Sequence, residues 1–242
     1  MNANIIETNG LTKSTGSQMR VDHIDLRVPE GCVYGFLGPN GAGKTTTLKL
    51  LLGLLKPTAG TITFFGQKMT AANRLSILRH TGSLIESPSF YGHLTGLENL
   101  QITAKLKKTP ASEITHVLQT VRLYEQRDKK VRQYSLGMKQ RLGIATALLG
   151  SPRVLILDEP TNGLDPAGIQ EIREFIRELP IIRQMTVIVS SHLLGEIEQM
   201  ADMVGIINHG ELIFQDSLAA LETRGESLED AFLNMTGGGE SL

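Results

Sequence analysis

The chain has 242 residues, 40% hydrophobic and 20% charged, which suits one large α/β domain with room for an inserted lobe and excludes a disordered chain. Its 24 basic and 25 acidic residues give a formal net charge of −1 at pH 7, without the basic excess of a nucleic-acid binder, so no nucleic-acid partner is expected. The single cysteine, Cys32, excludes an intrachain disulfide, suits a reducing cytosol, and reads as a small buried thiol beside Val33 and Tyr34.

The N-terminal MNANIIETNG lacks a basic region followed by an apolar run, so no signal peptide is expected. No window approaches the roughly 18 apolar residues of a membrane span, so a membrane role would come through a partner. Strands are expected at residues 5–8 and at 21–28, where apolar and polar positions alternate. A short apolar strand at 33–37 runs into a glycine-rich loop and then a helix over 45–55. A strand bounded by glycines follows at 60–66.

From about Glu86 to Gly150 the pattern is helical, with Ile114, Val117, Leu118 and Val121 on one face. An apolar strand at 154–157 ends in Asp158 and Glu159. A helix with Ile169, Ile172, Ile176 and Leu179 on one side comes next, then a strand at 186–190 and a helix from about Leu193. Strands at 204–207 and 211–214, a short helix near 228–233 and a flexible tail, GGGESL, at 237–242 complete the pattern. Strands alternating with helices imply a mostly parallel sheet covered on both faces.

Gly38-Pro39-Asn40-Gly41-Ala42-Gly43-Lys44-Thr45 fits the phosphate-loop pattern, between the strand and the helix that the pattern requires. Glycines let the backbone wrap phosphate with successive N–H groups pointing inward, and the helix N-terminus adds positive partial charge. Lys44 can reach the β- and γ-phosphates and the Thr45 hydroxyl can ligate Mg²⁺, with Thr46 next in the loop. Asp158 and Glu159 arrive at the edge of the sheet where ligands collect. Asp158 is the candidate to hold Mg²⁺ through water, and Glu159 the candidate general base for an attacking water.

Three further pieces converge. Tyr134-Ser135-Leu136-Gly137-Met138-Lys139-Gln140-Arg141 resembles the signature motif of ATP-binding cassettes. Asn162-Gly163-Leu164-Asp165 resembles their D-loop, and Ser190-Ser191-His192 their switch histidine. Over essentially its whole length the chain resembles the nucleotide-binding domain of an ABC transporter. The fold this implies is α/β, with a P-loop NTPase (RecA-like) core, an N-terminal antiparallel β subdomain and an inserted α-helical subdomain at about 86–150. The cassette would span 1–236.

The resemblance implies an ATPase that binds ATP and Mg²⁺ and pairs head to tail as a homodimer. Each ATP would lie between one phosphate loop and the opposite signature motif, with Ser135 and Gly137 reaching the γ-phosphate in trans and His192 in cis. Asp165 would lie at the dimer seam, and it also reads as a helix N-cap before Pro166. Transmembrane permease subunits, engaged through a groove near residues 86–100, would hold the chain at the cytoplasmic face of the membrane.

The sequence departs from the family pattern in three places. The signature reads YSLGM rather than LSGGQ, a form similar to cassettes that export drugs and peptide antibiotics. Glu86 stands where the family's Q-loop has glutamine, as in cassettes of lantibiotic self-immunity, and would add negative charge near Mg²⁺. Ser14-Thr15-Gly16 replaces the early aromatic that stacks on adenine, leaving Met19 or Val21 for apolar contact. A soluble ABC ATPase of translation or DNA repair is the alternative. Such proteins usually carry two cassettes, a long coiled coil or zinc-binding cysteines, and a small-molecule kinase would not need the signature, D-loop or switch histidine.

Overall fold

In the computed structural model, which describes residues 3–86 and 88–236, the first strand changes partners along its length. The tail expected to be flexible, 237–242, lies outside the described residues. Strand β1 (Asn4–Thr15) pairs antiparallel with β2 (Gln18–Ile24) through its second half and with β3 (Arg27–Pro29) through its first. Residues 21–28 are therefore two strands rather than one. Side chains make the break. The Thr8 hydroxyl donates to the Ile24 carbonyl at 2.7 Å and accepts from the Leu26 amide at 2.8 Å. The Asp25 carboxylate accepts from the Gly10 amide at 2.6 Å. Short polar side chains thus replace ladder bonds at this point.

Strand β4 (Val33–Leu37) leads through the glycine loop into helix α1 (Lys44–Leu51), and the chain returns to the first sheet with β5 (Ala59–Phe64) and β6 (Gln67–Lys68). That sheet has the order β2-β1-β5-β6, with β3 off this path on β1. Helix α2 (Arg74–Leu78) and strand β7 (Thr81–Leu84) follow, and neither has a counterpart in the sequence pattern. The β7 segment has no apolar run, and only its parallel pairing with a later strand makes it one. Gly82 allows that strand to lie close to the helical layer, because a Cβ there would sit 2.3 Å from the Ala147 carbonyl oxygen.

The helical layer is α3 (Gly96–Lys107), α4 (Ala111–Thr120) and α5 (Leu136–Leu148), joined by 3-10 turns at Tyr124–Gln126 and Val131–Gln133. Residues 88–94 form a loop ahead of its first helix, where a helical pattern was expected from about Glu86. Thr95 starts α3 with a capping box: its hydroxyl accepts from the Glu98 amide at 3.1 Å, and the Glu98 carboxylate accepts from the Thr95 amide at 2.7 Å. Ile114, Val117 and Leu118 are buried on one face of α4, with Val121 just beyond its end.

The remaining elements are β8 (Val154–Asp158), α6 (Pro166–Arg183), β9 (Thr186–Ser191), α7 (Leu194–Met200), β10 (Met203–Asn208), β11 (Glu211–Ser217), α8 (Leu218–Thr223) and α9 (Leu228–Thr236). The second sheet has the order β11-β10-β4-β9-β8-β7 and is parallel except for β11.

Alternation along its strands divides the interior into two cores. Tyr34, Phe36, Val154, Ile156 and Ile188 face α1 and the first sheet, meeting Leu48, Leu51, Ile6 and Phe64. Val33, Leu37, Leu155, Leu157, Val187 and Val189 face the helices, meeting Leu100, Val117, Leu142, Ile176 and Ile197. Strands buried on both faces read as unbroken apolar runs, which is why 33–37 and 154–157 were so plain in the sequence. Among the described residues, no helix is long and apolar enough to cross a membrane.

Candidate nucleotide-binding and hydrolytic site

The glycine loop leaves β4 at the C-terminal edge of the parallel sheet and closes on α1. Gly38 packs against β10, where an added Cβ would sit 2.3 Å from the Ile207 carbonyl oxygen. Gly43 has φ +111, and a Cβ there would lie 2.7 Å from the Arg20 carbonyl oxygen. Both positions therefore require glycine for steric reasons. The Ala42 amide donates to Pro39 at 3.2 Å, closing the loop, and the Ala42 carbonyl accepts from Gly210 at 2.9 Å, anchoring it. Asn40 and Gly41 are exposed at the tip, and Pro39, Thr45 and Thr46 are half-buried.

Lys44 is only 5% exposed. Its Nζ donates to the Gly38 carbonyl at 2.7 Å and the Pro39 carbonyl at 3.2 Å, and lies 3.3 Å from Glu159 Oε1. The lysine is thus curled over the loop it belongs to, with a carboxylate on its far side. One residue on, the Thr45 hydroxyl donates to Asp158 Oδ2 at 2.8 Å. Asp158 Oδ1 accepts from the Ser190 hydroxyl at 2.6 Å, and the same hydroxyl accepts from the Glu159 amide at 2.9 Å. Ser190 therefore pins the end of β8 to β9.

Glu159 turns sharply off β8 with φ +46, a left-handed conformation that costs a non-glycine residue on the order of 1–2 kcal/mol. The turn brings the carboxylate between an ammonium and an imidazole. Oε1 faces Lys44, and Oε2 lies 2.9 Å from His192 Nδ1. The structure thus brings Lys44, Thr45, Asp158, Glu159 and His192 together from three separate strand ends.

Glu86 also has a left-handed backbone, φ +59. It lines the same cleft as Thr45, Asp158 and Glu159, together with Gln140 and Asn162. Its carboxylate is engaged by Lys49, one turn along α1, at 2.6 Å. The extra negative charge anticipated here is therefore paired rather than free.

Ser135 and Gly137 open on a different recess, shared with Leu164, Asp165 and Gly168. Ser135 caps α5, accepting from the Met138 amide at 3.2 Å, and Asp165 caps α6, accepting from the Gly168 amide at 3.2 Å. The two loops pack together, since a Cβ on Gly163 would come within 3.1 Å of Leu136. A Cβ on Gly137 would meet Leu164 at an ordinary 3.8 Å, so packing inside this chain does not demand glycine there.

One expectation for the base contact fails. Val21 is fully buried in the first core and cannot touch a bound base, whereas Met19 is 46% exposed. Lys49, Thr161 and Glu196 are residues around the cleft that spacing alone did not reveal. Their importance comes from partners 30 or more positions away, as the 113-residue separation of Thr45 and Asp158 illustrates.

The donor set fits a magnesium nucleotide. Backbone amides and an ammonium gather at the loop, and a hydroxyl and a carboxylate, hard oxygen donors, lie together at its foot. Among the described residues no group of three His, Cys, Asp or Glu could hold a metal alone. Mg²⁺ is usually held by one or two protein ligands together with phosphates, a role the Thr45 hydroxyl and Asp158 carboxylate can fill.

Fold and cleft together define a P-loop ATPase. The chain belongs to the ABC transporter family, whose family model matches residues 21–162. It is 54% identical over 213 residues to the bacitracin transport ATP-binding protein BcrA of Bacillus licheniformis, covering 86% of this chain and 68% of that one. It is 41% identical over 230 residues to the lantibiotic transport ATP-binding protein SrtF of Streptococcus pyogenes, covering 95% of this chain and 96% of that one. A solved ATP-binding subunit of an ABC transporter superposes with a TM-score of 0.83 at 27% identity, covering 96% of this chain and 99% of that one.

Proposed function

We propose that this chain is the ATP-hydrolysing subunit of a transporter that expels a lantibiotic or related antimicrobial peptide through separate membrane permease subunits, giving self-immunity or resistance. The observation that carries the reading is the identity, over most of the chain, to bacitracin and lantibiotic transport ATP-binding proteins. YSLGM and Glu86 agree with it, and those relatives favour transport over translation or DNA repair. The cassette runs over 1–236 with its helical subdomain at about 86–150. It works at the cytoplasmic face of the membrane, where its permease engages a groove near 86–100.

In this reading Gly38 through Thr46 cradle the ATP phosphates. Lys44 exchanges its bonds to Gly38 and Pro39 for phosphate oxygens. Thr45 and Asp158, the latter through water, would hold Mg²⁺, which would supply positive charge to the phosphates. Glu159 accepts a proton from the water that attacks the γ-phosphorus, as the bond to the leaving ADP breaks and inorganic phosphate forms. His192 orients the Glu159 carboxylate from Oε2 and reaches the γ-phosphate in cis. Ser135 and Gly137 meet the γ-phosphate of a second copy in trans, with Asp165 at the seam. The bare backbone at Gly137, not required by packing within the chain, supports that approach. ATP stabilises the closed homodimer and hydrolysis releases it.

The test compares the native host with a chromosomal Glu159→Gln version against lanthionine peptides and bacitracin. Sensitisation to one class of peptide supports the export reading and identifies the cargo class. No change across the panel removes the immunity assignment and leaves the ATPase standing. In the purified protein the same substitution lowers turnover by about 100-fold or more while ATP binding persists and a nucleotide-bound dimer accumulates.

A further inference from the structure

Glu196, on α7, is 5% exposed, and the mechanism above gives it no role. Its Oε2 accepts two hydrogen bonds at once, from the Thr161 hydroxyl at 2.7 Å and the Ser191 hydroxyl at 2.8 Å. Its Oε1 has no hydrogen-bond partner among the described residues. It borders a recess walled by Glu159, Asn162, Gly163, Leu164 and His192. A buried carboxylate that receives only hydroxyls is costly to keep, so its two bonds must hold something in place.

The two donors identify what is held. Thr161 stands two residues after Glu159, and Ser191 stands immediately before His192. Ser191 gives its one proton to Glu196 and must therefore accept from the Leu193 amide, as it does at 3.0 Å. The orientation of each hydroxyl is thus fixed. With the 2.9 Å contact between Glu159 and His192, a ring closes: Glu159, Thr161, Glu196, Ser191, His192 and back.

We propose that Glu196 is a positioning residue for hydrolysis. It locks the loop after β8, which carries Glu159, to the loop after β9, which carries His192, so that the pair meets the attacking water in one geometry. This rests on Glu159 and His192 being the hydrolytic pair. Glutamine at 196 can present its carbonyl oxygen to both hydroxyls, whereas leucine can accept neither. The phosphate loop lies outside the ring and meets it only where Lys44 approaches Glu159, so ATP affinity changes far less than turnover.

The experiment measures steady-state ATP hydrolysis and equilibrium ATP binding for purified Glu196→Gln, Glu196→Leu, Thr161→Val and Ser191→Ala, with Glu159→Gln as a control. The expected result is a kcat about tenfold or more lower in Glu196→Leu, with ATP affinity within about twofold of the parent, and kcat within about threefold in Glu196→Gln. Thr161→Val and Ser191→Ala each lower kcat severalfold, and their double variant falls less than the product of the two.

If Glu196→Leu keeps the parent kcat, or loses ATP affinity as much as kcat, the proposal is overturned. If that variant does not fold, the Thr161 and Ser191 pair decides, and parent-like kcat in both overturns it equally. A Glu159→Gln protein that still turns over at the parent rate would instead overturn the assignment of the base, a separate failure.

Discussion

Nζ of Lys49 lies 2.6 Å from the carboxylate of Glu86, joining the helix that follows the glycine loop to the segment after β7. Lys49→Met leaves that carboxylate unpaired in the cleft it shares with Thr45, Asp158 and Glu159. Repulsion with an incoming triphosphate then raises KM for ATP by about threefold to tenfold at low salt, and less at high salt. Adding Glu86→Gln removes the unpaired charge and returns KM to near the parent value. A double variant as impaired as Lys49→Met alone would show that the pair is incidental.

Purine selectivity should be weak. No aromatic side chain occupies Ser14-Thr15-Gly16, Val21 is buried, and Met19 alone of the two expected apolar contacts is exposed. Michaelis constants for ATP and GTP should agree within about fivefold, because stacking contributes on the order of 1–3 kcal/mol where an aromatic is present. Met19→Tyr should tighten both purine nucleotides severalfold. A strong preference of the parent for ATP would count against this account.

Thr8→Val should destabilise the chain without touching the cleft. It keeps the side-chain shape but leaves the Ile24 carbonyl and the Leu26 amide without their bonds at a buried strand break. The cost is about 1–3 kcal/mol, seen in thermal melts as a drop of roughly 3–10 °C. Thr8→Ser should recover most of it, and an unchanged Tm for Thr8→Val would contradict the role given to the hydroxyl.

The Cys32 thiol is pushed up from 9.0 to about 12, first by burial and then by the Asp202 carboxylate. The folded state therefore favours the protonated thiol. That contribution to stability is complete below pH 9 and is lost as pH rises toward 12. At pH 8 native protein should react with a thiol reagent many times more slowly than protein in urea, because the thiolate is the reactive form. Equal rates would mean that the β3–β4 corner opens readily.

Much of this was legible in the sequence because the cues are local. The strand at 33–37, its glycine loop and the apolar run at 154–157 are each set by neighbours along the chain. Asp165 reads as an N-cap from Pro166 alone, and it is one. What stayed hidden depends on distant partners. β7 is a strand only because β8 lies beside it, and the break near Asp25 exists only because Thr8 supplies its bonds. Glu86 stands out as a substituted loop residue, but its neutralising partner, 37 positions earlier, carries no mark. Glu196 looks like any surface glutamate of a short helix until the fold buries it.

The strand order has a consequence in time. β4 sits between β10 and β9, and those strands are formed by residues 203–208 and 186–191. On a ribosome adding about 5–20 residues per second, the roughly 150 residues separating β4 from β9 take on the order of 8–30 s. The first sheet, complete by residue 68, can assemble early, while VYGFL waits with both edges unpaired and needs shelter from other chains. The glycine loop that follows it gains its support from Ile207 and Gly210 only after residue 210 has been made, so a nascent chain has no supported glycine loop before those residues have emerged.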